Sequence, residues 1–484
     1  MKRKQLISAF LQFLPEEAVL YEAEELRPYE CDALSAYRQL PMLVVLPRTE
    51  AEIIRILQIC HTERVPVVAR GSGTGLSGGA QPHAEGVLLS LAKLNRILEI
   101  DPLACTARVQ PGVRNLAISE AAAPYGMYYA PDPSSQIACS IGGNVAENSG
   151  GVHCLKYGLT VHNILRLRVL TIAGEVLEIG LEALDSPGFD LLALMTGSEG
   201  MLGIVTEITV KLLPKPETVQ LVMAVFNDIS LAGEAVANVI RAGIIPAGME
   251  MMDKLTIHAV EDFVHAGYDL EGAAILLCES DGMAEEVTSE IEQIQTILQV
   301  SGAIRIRVAR DEAERQLFWA GRKAAFPAAG RVSPDYYCMD GTIPRKHLAR
   351  VLEQIEQLST EYNLRCMNVF HAGDGNLHPL ILYDANQPGE LAKAEAFGAR
   401  ILEICIEFGG SVTGEHGVGI EKLNQMCLQF SDAERDVFHA IKAAFDPQAL
   451  LNPGKAIPEL HRCAELGAMH VHRGAEKFPD IPRF

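Results

Sequence analysis

Two short stretches hold the side chains best suited to chemistry, VFHAGDGNLHP and SVTGEHGVGIEK. The first puts His371 and His378 on either side of an Ala-Gly-Asp-Gly segment. A turn there folds the chain back, so both imidazoles can converge on one point. The second supplies Glu415 and His416 in a glycine-rich loop. Two neutral imidazoles and one carboxylate suit a divalent transition metal with open coordination positions. The same residues also fit a plainer role. A histidine beside glycine turns often only hydrogen-bonds its own loop, and Glu415 could be an ordinary helix-cap acid. Spacing alone leaves both readings open.

A second kind of chemistry is suggested by RGSGTGLSGG, residues 70–79, which follows the apolar run VPVVA. Gly73, Gly75 and Gly78 satisfy G-x-G-x-x-G. A dinucleotide fingerprint, however, needs those glycines between a strand and a helix N-terminus, because the helix end binds the pyrophosphate. Here AQPHAEGVLLSL follows, with Pro82 and Gly86 ahead of another strand, and no acidic residue closes a βαβ unit. That context rejects a nicotinamide site. Glycine loops also bind phosphates without a helix, through concave nests of backbone N–H groups. Two more loops of this kind occur, PDPSSQIACSIGGNVAENSGG (131–151) and TGSEGMLGIVTEIT (196–209). Three in one β-rich region point to a large diphosphate cofactor rather than to turns alone.

The elements that must position these residues divide into two patterns. Thr49 reads as the N-cap of a helix over TEAEIIRILQICHTERV. MLVVLP, VPVVAR, GVLLSL, ILEID and CTARVQPG read as short strands. Pro214 and Pro216 mark a boundary, after which TVQLVMAVF, SLAGEAVANVIRAG, GAAILLCES and MAEEVTSEIEQIQTILQVSG alternate strand and helix. That order predicts an antiparallel sheet backed by helices. The fold class expected is therefore α+β, with residues 1–37 as N-terminal helix and loop. A cofactor domain over 38–216 and a substrate domain over 217–460 follow, and 461–484 form a tail suited to docking.

Composition sets limits on partners. The chain has 484 residues and a formal charge of −21, from 41 basic and 62 acidic residues, which repels nucleic acid and anionic lipid. Its 11 cysteines include no C-x-x-C, so neither a zinc ribbon nor an iron–sulfur cluster is expected. No run of 18 apolar residues exists and the N-terminus lacks a cleavage site, which predicts a cytoplasmic chain.

RGSGTGLSGG, PDPSSQIACSIGGNVAENSGG, KYGLTVHN and TGSEGMLGIVTEIT resemble the FAD-binding domain of vanillyl-alcohol-oxidase type flavoproteins. The resemblance implies two α+β subdomains with FAD between them, followed by a ferredoxin-like antiparallel sheet. Arg70, Gly71, Ser72, Gly73, Thr74, Gly75, Ser77 and Gly78 would cradle the pyrophosphate. Pro131, Ser134, Gly142, Gly143, Ala146 and Gly151 would line the flavin. Gly203, Ile204 and Asn452 would complete the site. Some relatives join FAD to a histidine in the first loop. Thr74 stands at that position here, so FAD is expected without a covalent link.

The two histidine motifs and FWAGRKAAFPAAGRVSPDYYCMDGTIPR resemble the FAD-linked D-2-hydroxyacid dehydrogenases, over nearly the whole chain. The resemblance implies a divalent metal, zinc or manganese, on His371, His378 and Glu415. It makes His416 the general base and Arg322 the partner of the substrate carboxylate. Relatives acting on dicarboxylates carry a further cation near DYYCMDGTIP. Tyr336, Tyr337 and Cys338 occupy that region here, which favours glycolate or D-lactate. The glycolate-oxidising branch works with a second flavin-domain-like subunit and an iron–sulfur subunit. These pass electrons to the quinone pool, implying at most peripheral contact with the inner face of the membrane. A self-sufficient D-lactate dehydrogenase would share every catalytic residue. A scaffold subunit without chemistry would not need the complete set.

Overall fold

A computed structural model describes residues 3–181 and 188–458. The expected docking tail, 461–484, lies outside the described residues. Three large sheets, with a two-stranded pair of Met127–Tyr128 and Leu213–Pro214, organise the described residues. The first has the order Val19–Leu20, Leu43–Val45, Val87–Ser90, Val67–Arg70, and its last three strands are parallel. The helix Glu50–Glu63 covers it, burying Ile53, Ile56, Leu57 and Cys60 at three- and four-residue spacing. Thr49 and Glu52 form its capping box, a device that contributes about 1 kcal/mol. MLVVLP, residues 42–47, is the first strand expected from sequence; the two-residue strand Val19–Leu20 precedes it, too brief to show a pattern.

The second sheet is antiparallel, ordered Ile97–Asp101, Thr106–Val109, Ile204–Lys211, Ile164–Leu170, Val176–Gly180. The first glycine loop runs from Arg70 to Val87 without a helix, as expected. The second does not stay a loop. Ile141–Glu147 is helical, with the Ser140 hydroxyl accepting from Gly143 N–H. Gly142 and Gly143 thus sit in a first helical turn, where two glycines had disguised the helix.

The third sheet has seven antiparallel strands: Arg305–Val308, Thr218–Phe226, Ala274–Gly282, Gly248–Asp253, Cys366–His371, Asn376–Tyr383 and Asp335–Cys338. Helices cover both faces, so its strands read as continuous apolar runs. Met249 and Met251 pack under the helices Ile229–Arg241 and Leu348–Tyr362, while Met252 faces Trp319 and Ile257 on the other side. Glu250, one residue from each, shares Met252's face. That face turns toward the glycine loops.

Candidate active site

The hairpin Cys366–His371 and Asn376–Tyr383 pairs His371 with Asn376 and Val369 with His378, so both histidines project from one face. Their ring centroids are 5.0 Å apart. His371 Nε2 and His378 Nε2 lie 3.1 and 3.2 Å from Glu415 Oε1. The other Glu415 oxygen accepts from Gly150 N–H at 3.0 Å. His378 is 2% exposed; its Nε2 has only the Glu415 and Asp340 carboxylates near it, and its Nδ1 has no hydrogen-bond partner. Such a buried orphan is costly unless it has a ligand. Donor atoms of His371, His378 and Glu415 fall within 4.8 Å of one another, the spread expected for ligands each about 2 Å from one ion. The residues fit a divalent metal.

Two carboxylates hold this set: Glu250 lies outside every motif, and Asp340 stands in DYYCMDGTIP, where the sequence gives it no role. Glu250 is fully buried and accepts from His371 Nδ1 at 2.6 Å, which fixes the ring and leaves Nε2 facing Glu415. Burial opposes the charged form of His371, but Glu250 and Glu415 outweigh it and push that histidine well above its ordinary range. The Glu415 carboxyl is held well below its range: burial would raise it, and His371 and His378 overcome burial. The second anchor is Asp340, also fully buried. It accepts from Thr413 Oγ1 at 2.6 Å and from the N–H groups of Gly414 and His416 at 3.1 and 2.9 Å. Lys422 Nζ, itself buried, lies 3.1 Å away and balances the charge. The Glu415–His416 loop is thereby wrapped around one carboxylate. The His416 ring stacks on His378 at 4.8 Å, and burial pulls its titration down to about 4 despite Asp340, so it is neutral at pH 7.

A cavity of about 580 Å³ joins this cluster to the glycine loops. Its wall includes Arg70, Gly71, Ser72, Gly73, Thr74, Gly75, Ser134, Gly142, Gly143, Ala146, Gly203 and Ile204, and at one end His378, Glu415 and His416. Gly73 has φ +70°, and a methyl group there would overlap the Arg70 guanidinium, so only glycine lets the loop close over that side chain. Arg70 is steadied by donating Nη1 to Cys31 carbonyl oxygen at 2.7 Å.

The remaining expected cofactor residues stand behind the wall. Ser77 carbonyl oxygen accepts from Ile420 and Glu421 N–H, and Gly78 packs on Ile420, so this end of the loop docks the segment that follows Glu415 and His416. Pro131 carbonyl oxygen accepts from Asn115 Nδ2, and Gly151 packs against Asp132. Asn452 Nδ2 donates to the carbonyls of Gly79 and Glu199 at 2.8 and 2.7 Å, tying the first loop to the third. Arg322 is 1% exposed, and its Nε lies 2.6 Å from Glu250 Oε2. Besides Arg70, the cation on the cavity wall is its neighbour Lys323, an exposed side chain that shares the wall with Phe326, Pro327 and Tyr336. Helical geometry explains the exchange: consecutive residues point about 100° apart, and Arg322 turns inward to Glu250.

The model of the family described as FAD linked oxidases, C-terminal domain, matches residues 215–456, and that described as FAD binding domain matches 41–180. Glycolate oxidase subunit GlcD of Escherichia coli is 62% identical over 482 residues, covering 100% of this chain and 97% of that protein. The subunit of the same name from Bacillus subtilis is 41% identical, covering 88% and 91%. D-lactate dehydrogenase of Anaerostipes hadrus is 32% identical, covering 93% and 97%. Among solved structures, p-cresol methylhydroxylase superposes with a TM-score of 0.80 at 19% identity, over 95% of this chain and 97% of that one. The fold is the vanillyl-alcohol-oxidase type. The chain belongs to the FAD-linked oxidases, within them to the FAD-linked hydroxyacid dehydrogenases.

Proposed function

We propose that this chain oxidises glycolate, and D-lactate with it, to the 2-oxo acid. The observation that carries the reading is the meeting of His378, Glu415 and His416 with the glycine loops in one cavity. FAD, held without a covalent link because Thr74 has no imidazole, would supply the acceptor for the α-hydrogen as a hydride equivalent. A zinc or manganese ion on His371, His378 and Glu415 would supply Lewis acidity toward the hydroxyl and carboxylate oxygens. The neutral His416 ring takes the hydroxyl proton. Lys323 attracts the carboxylate at the cavity wall, while Arg322 steadies Glu250 beneath His371. Phe326 and Tyr336 bring rings rather than a second cation, which suits a small monocarboxylate.

The electrons leave through a second flavin-domain-like subunit and an iron–sulfur subunit to the quinone pool, with the chain cytoplasmic or peripheral on the membrane. What supports this is the word subunit in the names of the similar proteins and the lack of C-x-x-C here. No helix among the described residues is long and apolar enough to cross a membrane. The test is anaerobic mixing of the purified, metal-replete chain with glycolate, then D-lactate. Bleaching of the flavin absorbance is expected; an oxidised spectrum with both acids sinks the substrate assignment.

A further inference from the structure

Two carboxylates sit where an anionic cofactor would make them unwelcome. Glu147 ends the helix Ile141–Glu147, and Glu199 lies in the third glycine loop at φ +51°. Both line the main cavity. Gly79 and Gly417 enclose the pair from either side. A methyl group on Gly79 would lie 2.6 Å from Glu147 Oε1 and 3.3 Å from Glu199 Oε2. One on Gly417 would overlap Glu147 Oε2 and come 3.1 Å from Glu199 Oε1. The two carboxyl groups therefore share one slot between the first glycine loop and the catalytic loop.

Their partners differ. Glu199 accepts from Val418 and Gly419 N–H at 2.7 and 2.8 Å, one donor for each oxygen. Burial raises the Glu199 carboxyl above its usual range, and these two donors oppose that and favour its ionised form. Glu147 Oε2 is buried with no hydrogen-bond partner. The nearby charges do not repair this. Asp32 and Asp340 add negative charge, and the Lys422 ammonium is engaged by Asp340, Thr413 and the Gly417 carbonyl. Burial and then the Glu199 charge push the Glu147 carboxyl well above its usual range. Two like charges crowded into one slot do not both ionise.

We infer that Glu147 is kept as a neutral carboxylic acid at pH 7 and serves bound FAD as a hydrogen-bond donor from the cavity wall. The inference rests on FAD occupying this cavity, not on the identity of the substrate. A neutral donor resolves the conflict of an acid lining an anion site, because it offers a proton where an ionised group would repel.

The experiment uses the full chain and reads two quantities besides activity. Infrared spectra of the holoprotein at pH 7, compared with E147Q, are expected to contain the carbonyl band of a protonated carboxylic acid that E147Q lacks. Titration of the apoprotein with FAD is expected to give E147Q an affinity near that of the original chain. E147L, which has no donor, should bind about tenfold more weakly, the loss of one neutral hydrogen bond. Circular dichroism confirms that each variant is folded. If E147L does not fold, E147M replaces it with the same expectation. No acid band, or equal weakening in E147Q and E147L, overturns the inference. Retained FAD binding with no reduction by any hydroxy acid would instead strike the proposed function and leave this inference standing.

Discussion

The two ends of the cavity are built by opposite strategies. The glycine-loop end is mostly backbone: Gly71, Gly73, Gly142 and Gly203 bring main chain to the wall from three separate segments. The histidine end is mostly side chain, with His371, His378, Glu415 and His416 presented by one hairpin and one loop. A backbone cradle is specified by what is missing, since only small residues let N–H groups approach a ligand. A side-chain cluster must instead be held, and here buried carboxylates hold it. Damage to the first end should therefore loosen the cofactor, while damage to the second should spare binding and stop chemistry.

The sharpest break in that contrast is H416A. Flavin reduction by glycolate should slow by about 10² to 10⁴ fold, the usual contribution of a positioned base, with an unaltered oxidised spectrum; stopped-flow absorbance measures it. Next is D340N, which leaves the Lys422 ammonium buried without its counter-charge. A loss of about 3–5 kcal/mol is expected for a broken buried pair, read as a lower midpoint in denaturant with the catalytic loop loosened. E250Q should weaken metal binding about 10- to 100-fold, as loss of a partner behind a ligating histidine does. Metal content after dialysis against a chelator reports it.

A smaller effect concerns pH. Burial lifts Glu421 to about 8, with Lys422 only partly opposing. Its folded value lies above its unfolded one, so the native state holds that proton more tightly. The stability it contributes is present at low pH and drains away as pH rises from the ordinary glutamate range through about 8. E421Q cannot ionise. Its melting temperature should exceed the original chain's at pH 9, and the gap should close near pH 4. A gap independent of pH would contradict this account.

How much of this could be read beforehand follows from the same contrast. The glycine loops, the hairpin turn and the Thr49 cap are local, so spacing alone marks them. The Ile141–Glu147 helix was hidden because its glycines lower helix propensity, and its Ser140 cap needs context to be recognised. Glu250 comes from the strand Gly248–Asp253 and Asp340 from the segment just after the strand Asp335–Cys338, 121 and 76 residues away from His371 and His416. Glu250 resembles any acid in a strand until the sheet brings it under the site, and Asp340 stands in DYYCMDGTIP with nothing in its spacing to tie it to the Glu415–His416 loop. The resemblance assigns Arg322 to the substrate carboxylate; in the fold its side chain meets Glu250, and Lys323 lines the cavity. A sequence gives the neighbourhood of such a residue more readily than its direction.

The central claim is that the histidine–carboxylate cluster and the cofactor cavity act on one substrate. The direct measurement strips divalent metal from the holoprotein and repeats the anaerobic reduction by glycolate before and after restoring zinc or manganese. The account predicts an intact flavin spectrum that glycolate fails to bleach in the stripped protein, and bleaching regained with the ion. Equal bleaching rates with and without metal, at verified metal content, would contradict it.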